Sequence, residues 1–352
     1  MNLYVLDQNF STIKVLDRFE SLLWVERYNE PGDFEIYTAV TEDMLTYPVV
    51  DNYIYFGDSD KLMIVEDIKI TTNTETGNHI QIKGRSLESI LDRRCILGKL
   101  DVTGNVQDTI QSILNTNIIS PTDADRAISN FIFTPSADTA ITELTYDNQF
   151  ENVSVLEAVQ DICKSKNIGF RVKLNSQNQF EMELYHGTDR SYNQTAIPRV
   201  VFSPSFDNIV SSDYDENHSN AKTFCYVHAV YYDNNAETEV TRTAGSGTGL
   251  LRKEIYVPSS ISKEEGMTLE DFYAKLDQDA SASLSERKVK KSFEGACETS
   301  RMFKYKKDFF LGDICHVANE YGFEATSRVE EYLWSISDRG TEDYPKFTAI
   351  NE

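Results

Sequence analysis

The 352-residue chain contains 57 acidic and 34 basic residues, a formal net charge of −23, and 19 tyrosines and 19 phenylalanines within a hydrophobic fraction of 40%. This length predicts two or three structural units, each with its own core, and the aromatic content favours β-structure over disorder. The charge argues against a surface that grips nucleic acid by its phosphates, because such surfaces collect Lys and Arg. The negative charge is compatible with a channel wall past which nucleic acid slides without adhering.

Cysteine usage and the N-terminus indicate a protein made in a reducing cytoplasm. The five widely spaced cysteines form no CxxC pair, so we expect core residues instead of disulfides. The first four residues lack the basic and apolar parts of a secretion signal, and no apolar run reaches the ~20 residues of a membrane span. We therefore expect a soluble protein with no membrane anchor.

Strand patterns dominate the first 85 residues. The predicted strands cover residues 3–6, 12–16, 22–28, 34–40, 52–56, 61–70 and 79–83. Prolines and glycines in turns such as Asn29-Glu30-Pro31-Gly32 preset the reversals between them. So many short strands close most easily as a small barrel or sandwich. We predict a first β-barrel in residues 1–96, completed by about residues 199–215.

Helix signals begin after this unit. Asn105 and Ser154 each precede apolar residues at helical spacing, with an acidic residue three positions on, as in a capping box. Residues 170–174 and 180–184 alternate between apolar and polar side chains and predict a hairpin. Residues 97–198 are therefore predicted to form an inserted α+β domain.

The β pattern returns after Pro198 and continues to the end. Residues 222–232 are apolar on both faces and predict a buried central strand. Thr268 begins a predicted amphipathic helix over residues 268–290, whose C-terminal end is basic. The predicted closing strands cover residues 313–317, 323–336 and 346–350. We assign residues 216–352 to a second β-barrel.

The closing strands repeat the order of strands near the front. The segment Val65-Glu66-Asp67-Ile68-Lys69-Ile70 matches Val329-Glu330-Glu331-Tyr332-Leu333-Trp334 in the phase of its acidic and apolar residues. Because side chains alternate between the two faces of a strand, Glu66, Ile68 and Ile70 lie on the strand face that corresponds to the face of Glu330, Tyr332 and Trp334. We interpret this as an internal duplication, although a chance similarity of two β meanders stays open. The predicted fold class is mainly β, α+β overall: two similar small β-barrels with an inserted α+β domain.

Two loops have part of a ligand-binding pattern. The run Gly245-Ser246-Gly247-Thr248-Gly249 precedes a predicted strand, whereas a phosphate loop precedes a helix, so we read it as a hairpin tip. Asp213, Asp215 and Asn217 have the first spacings of a calcium loop. His218 occupies the position that needs Gly, so a solvated acidic loop is favoured.

The residues predict no enzyme. Histidines and cysteines show no zinc spacing, and Cys163 lies on the apolar face of its helix. Glu330 and Glu331 are adjacent on a strand and point to opposite faces, so they cannot flank one glycosidic bond. We predict no catalytic, cofactor-binding or metal-binding residues, and no cofactor.

The chain resembles the baseplate hub proteins of tailed bacteriophages and phage-tail-like particles, a family that includes the N-terminal part of tail-associated lysins. The resemblance covers nearly the whole length. The segments that carry it are Tyr28-Asn29-Glu30-Pro31-Gly32-Asp33-Phe34-Glu35, residues 83–94, residues 185–191, Leu311-Gly312-Asp313-Ile314 and Asn319-Glu320-Tyr321-Gly322.

This resemblance implies a structural protein of the virion, assembled in the bacterial host cytoplasm. It implies a homotrimeric ring in which each chain carries two tube-like barrels, so that three chains match a sixfold tail tube. The implied partners are the tail tube or distal tail protein and a tail tip, spike or fibre protein. DNA would pass through an acidic channel without specific binding.

Two further expectations concern activity. Tail-associated lysins continue into a cell-wall hydrolase, so a chain ending at Glu352 predicts that any hydrolase or spike is a separate polypeptide. The alternative function is a carbohydrate-binding or cell-wall-hydrolysing β protein, which would hold glycan with exposed aromatic and acidic side chains of the insert.

Overall fold

A computed structural model describes residues 2–75, 77–233, 236–264, 266–297, 302–338 and 340–350. The strands are β1 Leu3–Leu6, β2 Thr12–Leu16, β3 Ser21–Arg27, β4 Asp33–Ala39, β5 Tyr53–Phe56, β6 Leu62–Thr71, β7 His79–Ser86, β8 Lys99–Asn105, β9 Phe131–Thr134, β10 Thr145–Glu151, β11 Gly169–Leu174, β12 Phe180–Tyr185, β13 Val201–Phe202, β14 Ile209–Asn217, β15 Phe224–Asp233, β16 Ala236–Gly245, β17 Glu254–Pro258, β18 Lys290–Cys297, β19 Ile314–Ala318, β20 Glu324–Ser337 and β21 Gly340–Ala349. The α-helices are α1 Glu42–Thr46, α2 Val106–Leu114, α3 Thr139–Thr142, α4 Val155–Lys166 and α5 Leu269–Ser285.

One large sheet connects the front and the rear of the chain. Thirteen strands of the described residues belong to it, with the main order β14-β18-β21-β20-β3-β4-β7-β6-β5-β1-β2. Off this order, β19 pairs with β20, and β13 pairs with β19. The predicted mainly β fold class is confirmed. The two β units are not separate sheets, because β20 of the rear pairs directly with β3 of the front.

The two halves of this sheet repeat one arrangement. The front order is β3-β4-β7-β6-β5, and the rear order is β14-β18-β21-β20-β19, with every neighbouring pair antiparallel. The front hairpin β3–β4 therefore corresponds to the rear pair β14–β18, which is interrupted by residues 218–289. Strand pairing thus shows the repeat that the sequence suggested.

Local irregularities of the backbone repeat as well. β6 has a bulge at Glu66 and β20 has a bulge at Glu330, the two glutamates that the sequence comparison had superimposed. Ahead of each meander, φ is positive at Asp51 (67°) and at Gly312 (86°). Each of these two residues donates its backbone N–H to the carbonyl just before the bulge. A bulge bends one strand at one residue, so its recurrence at the same place supports duplication over chance.

Residues 199–215 do not complete the front unit, contrary to the sequence assignment. β13 pairs with β19, and β14 pairs with β18 along its length, so both belong to the rear half. Sequence patterning locates a strand but does not specify its hydrogen-bonding partner, which here lies about 80 residues further along the chain.

Three hydrophobic cores hold the described parts together. The large sheet has one core, which includes Trp24, Phe34 and Trp334. The insert forms a second core between its two small sheets, β8–β10 and β9–β12–β11, and helices α2 and α4. A third core lies between the sheet β16-β15-β17 and helix α5.

The helix N-termini follow the capping signals. Asn105, Ser154 and Thr268 each accept a hydrogen bond from a backbone N–H of the first turn. The C-termini differ: α4 is capped by Asn167 in the left-handed region, ahead of Gly169. Helix α5 ends at Ser285, so the predicted extension to residue 290 is wrong, because β18 begins there.

Strand β15 is central in its sheet, as predicted, since β16 and β17 flank it. Only one of its faces is buried. Cys225 and Val227 pack under α5, whereas Tyr232 on the other face is 68% exposed. Apolar residues on both faces of β15 therefore do not mean that both of its faces are buried.

Candidate assembly interface

The pairing of β20 with β3 is named here the in-chain seam. It extends from Glu331 opposite Arg27 to Ile336 opposite Leu22. At its centre Trp334 lies opposite Trp24, and both indoles are buried. Large cross-strand aromatic pairs of this kind contribute packing beyond simple burial. The seam therefore joins the two halves firmly.

A buried polar network supports the core side of the seam. The Glu26 carboxylate is 1% exposed and accepts hydrogen bonds from Ser59 Oγ (2.5 Å), Tyr305 Oη (2.8 Å) and Lys306 Nζ (2.9 Å). The Tyr305 ring stacks on Tyr332 of β20, with centroids 3.8 Å apart. Burial raises the pKa of Tyr305 well above its usual value, so the hydroxyl stays a donor. The network ties the rear loop to the front strands.

Tyr28 anchors the end of the seam, where the front, the insert and the rear meet. Its backbone N–H donates to the Glu330 carbonyl (2.9 Å) and its hydroxyl to the Asn167 carbonyl (3.1 Å). A Cβ built at Gly169 or Gly312 would lie 2.4 Å or 2.2 Å from the ring, so only glycine fits at either place. Burial raises the pKa of Tyr28 to about 12.

The sheet face opposite the core carries paired charges and is named here the ion-paired face. Its side chains alternate along the strands with buried core residues. The ion pairs on it are Arg27–Asp33 (2.5 Å), Arg27–Glu331 (2.7 Å), Lys83–Glu35 (3.0 Å), Arg85–Glu66 (2.8 Å) and Lys346–Glu331 (3.7 Å). Each of these cations is engaged by a carboxylate, which reduces its capacity to hold a phosphate.

Several strand edges of the large sheet have no partner strand within the described part of the chain. One is the outer edge of β2, which pairs only with β1, and two others belong to β6 and β14. β6 pairs with β7 up to Thr71, but with β5 only as far as Ile64, so the edge of residues 67–71 is open. β14 pairs with β18 on one side, and its other edge is open. By the internal repeat, β6 corresponds to β20 and β14 to β3. The open edges of β6 and β14 are thus the equivalents of the two strands of the in-chain seam.

The candidate ligand loops do not come together as a site. Gly245–Gly249 leads from the end of β16 through a short 3₁₀ turn, Gly249–Leu251, to β17. β16 and β17 lie on opposite sides of β15 and do not pair with each other, so the predicted hairpin tip is wrong and the run crosses the end of β15 instead. Asp213, Asp215 and Asn217 lie on β14, at alternate positions of a regular strand instead of a loop. Among the described residues no His, Cys, Asp and Glu side chains cluster in a way that could hold a metal ion.

The remaining candidates occupy structural positions. Cys163 is fully buried in α4, and burial raises the pKa of its thiol, which keeps it protonated. Glu330 is the bulged residue of β20, and burial raises the pKa of its carboxyl to about 7, while Glu331 pairs with Arg27 on the ion-paired face.

Within the described residues, no helix combines the length and the apolar character needed to span a membrane.

Sequence reasoning did not identify the open edges or the ion-paired face. The acidic and apolar phase shared by β6 and β20 did signal that these strands are equivalent. The signal did not specify which strand lies beside each of them, because hydrogen-bonding partners follow from the three-dimensional arrangement.

The large sheet thus contains one arrangement twice, with one internal seam and with open edges on the two strands that correspond to that seam. Residues 2–345 match the Siphovirus ReqiPepy6 Gp37-like protein family, and the chain belongs to that family. It is a structural protein of the phage tail or baseplate type and a component of the virion. The tail-protein identification made from the sequence is confirmed.

Solved phage tail proteins have the same fold. A tail protein from Neisseria meningitidis MC58 is 13% identical, with a TM-score of 0.60 over 99% of this chain and 96% of that one. The 43 kDa tail protein of prophage MuSo2 from Shewanella oneidensis is 11% identical, with a TM-score of 0.60 over 100% and 98%. Prophage tail protein gp18 from Listeria monocytogenes EGD-e is 12% identical, with a TM-score of 0.56 over 100% and 95%. No curated protein matches the sequence.

Proposed function

We propose that the protein is the hub of a phage tail, a homotrimeric ring that adapts a sixfold tail tube to a threefold tail tip. The observation that supports this most is the in-chain seam together with the two open edges that are its equivalents. A chain that already joins two copies of one unit, and presents the same two strands unpaired at either side, is suited to repeating that junction with other copies of itself.

Ring closure follows from the kind of contact. When one edge of a chain pairs with a different edge of the next chain, the interface is head-to-tail. Such interfaces close into a ring when the rotation from one chain to the next is a full turn divided by a whole number. Each chain supplies two units, so three chains supply six. A ring of three can then offer six similar surfaces to the tail tube or distal tail protein, and a threefold surface to a tip, spike or fibre protein.

The ion-paired face is proposed to line the central channel. Each chain has a net charge of −23, and on this face Arg27, Lys83 and Arg85 are engaged by carboxylates. Phosphates that approach such a wall meet net repulsion and few available cations. DNA would therefore pass without specific binding. We propose no enzymatic role for the chain, and assembly in the cytoplasm of the bacterial host.

The mass of the full chain in solution tests the ring. We expect light scattering to give three times the chain mass of 40.2 kDa at high protein concentration, and low-resolution images to show a threefold ring with a central hole. A glycan-binding protein would instead stay a monomer and be retained on immobilised cell-wall polysaccharide. A monomer at every concentration tested would contradict the proposed hub.

A further inference from the structure

We infer that neighbouring chains of the ring join by antiparallel pairing of β6 of one chain with β14 of the next, in the register of the in-chain seam. This inference rests on the proposed ring and specifies its contacts. The register can be transferred residue by residue, because both strands have counterparts with known partners.

The bulges align β6 with β20. Glu66 and Glu330 are the bulged residues, so Lys69 corresponds to Leu333 and Ile70 to Trp334. In the in-chain seam those two β20 residues lie opposite Val25 and Trp24.

The neighbouring strands align β14 with β3. β4 and β18 carry the same dipeptide, Phe34-Glu35 and Phe293-Glu294, at the same register position against β7 and β21. Trp24 lies opposite Phe34, and Tyr214 lies opposite Phe293, so Tyr214 corresponds to Trp24 and Asp215 to Val25. The same offset superimposes Glu216 on the buried Glu26.

The transferred register gives five cross-strand pairs between chains. They are Asp67–Asn217, Ile68–Glu216, Lys69–Asp215, Ile70–Tyr214 and Thr71–Asp213.

On the ion-paired face one of the three pairs, Lys69–Asp215, joins opposite charges, and the pairs on either side of it are Asp67–Asn217 and Thr71–Asp213. Lys69 and Asp215 are both exposed, and neither has an ion-pair partner in the part of the chain that the structure describes. The other basic side chains of this face named above are all engaged. Opposite charges placed directly across an antiparallel pair attract each other, so pairing of Lys69 with Asp215 would continue the row of ion pairs from one chain to the next.

On the core side, Ile70 would lie opposite Tyr214 and Ile68 opposite the exposed carboxylate of Glu216, so only the first of these two pairs joins apolar surfaces. Ile70 is 52% exposed at the open edge, so a strand added there would cover apolar surface. Tyr214 lies half-buried against the core of the large sheet, with its ring stacked on Phe323 at 4.9 Å. Opposite Ile70, at the position that Trp24 occupies opposite Trp334, the Tyr214 ring would cover this side chain.

The seam between chains is more polar than the in-chain seam. Val25 opposite Leu333 is replaced by Asp215 opposite Lys69, and Trp24 opposite Trp334 by Tyr214 opposite Ile70. Charged residues at an open edge hinder indiscriminate strand addition, since only a partner with the opposite charge in the right register fits. The partner selected here is a second copy of the same chain.

Charge reversal tests the pairing in the full chain. We expect Lys69→Glu and Asp215→Lys each to weaken trimer formation by about tenfold or more, because like charges then face each other. The double variant Lys69→Glu/Asp215→Lys should recover trimers, since the charges are again opposite. Lys307→Glu makes the same change at an exposed lysine away from both open edges and should leave the trimer unchanged.

Cysteine pairs test the register separately. Under mild oxidation, Lys69→Cys/Asp215→Cys should give cross-linked dimers and trimers on a non-reducing gel, because residues directly opposite in antiparallel strands have Cβ atoms about 4.5–5.5 Å apart. Lys69→Cys/Asp213→Cys, two residues out of register, should give far less, and the wild type sets the background.

The outcomes separate the two proposals. Suppose that the wild type forms a trimer, both charge-reversal variants form it equally well, and no cysteine pair gives a selective cross-link. The β6–β14 pairing would then be wrong, and the proposed ring would still stand. A wild type that stays a monomer would overturn the ring and the pairing with it. Rescue by the double reversal together with the selective cross-link would establish both.

Discussion

The buried ion pair between Lys61 and Glu88 gives a sharp test of how the insert is held to the front unit. Lys61 lies just before β6, Glu88 follows β7, and Glu88 also accepts the backbone N–H of Val172 in the insert at 3.1 Å. The side chains are 8% and 0% exposed. Lys61→Met keeps the length and apolar stem of the side chain and removes its charge.

The expected loss of stability is large. Without Lys61 the Glu88 carboxylate would keep one hydrogen bond from Val172, while its second oxygen, Oε2, is buried and has no hydrogen-bond partner. Removing one member of a buried ion pair costs about 3–5 kcal/mol, because the remaining charge is left uncompensated. Adding Glu88→Gln removes that charge, so the double variant should regain about 2 kcal/mol or more.

Urea unfolding followed by tryptophan fluorescence and circular dichroism would measure the change. Lys164→Met is the matched control, since the Lys164–Glu30 pair also links the insert to the front unit but has side chains 48% and 42% exposed. It should cost less than about 1 kcal/mol. Equal losses for Lys61→Met and Lys164→Met, or no recovery in the double variant, would refute the reasoning.

Two further changes probe the end of the in-chain seam. Gly312→Ala should leave little soluble protein, because φ is 86° and the new Cβ would clash with Tyr28, whereas Gly322→Ala, at φ 81° in open space, should cost only about 1–3 kcal/mol in thermal unfolding. Glu330→Gln should match the wild type below pH 4.5 and exceed it by ~1–3 kcal/mol at pH 8. The folded carboxyl has a pKa of about 7, above the usual 4.5, so the wild type loses stability as pH rises between these values; a pH-independent difference would contradict this.

Local signals in the sequence located most of the elements. Three helix N-termini follow their caps at Asn105, Ser154 and Thr268, where a side-chain oxygen meets an otherwise unpaired N–H. The duplicated phase around Glu66 and Glu330 was visible because alternation along a strand is itself a local property.

Features that depend on distant partners were not predictable in the same way. Lys290 and Lys291 extend the helix pattern and suit its C-terminal dipole, but hydrogen bonding of β18 to β14 and β21 places them in a strand. The predicted closing strands end at residue 336 and resume at residue 346, yet residues 340–344 pair with β20 as part of β21. In both cases the sheet outweighs the local preference.

The two kinds of seam explain why a duplicated chain suits the proposed ring better than six separate copies. Six identical subunits would need six identical junctions, each a compromise between strength and solubility. After duplication, the in-chain seam never has to come apart, so it can bury both Trp24 and Trp334, which lie opposite each other. In the proposed ring the open edges stay in water until assembly, and there Lys69 and Asp215 would keep the strands soluble and select the partner. Divergence of the two repeats would thus assign strength to one set of junctions and selectivity to the other.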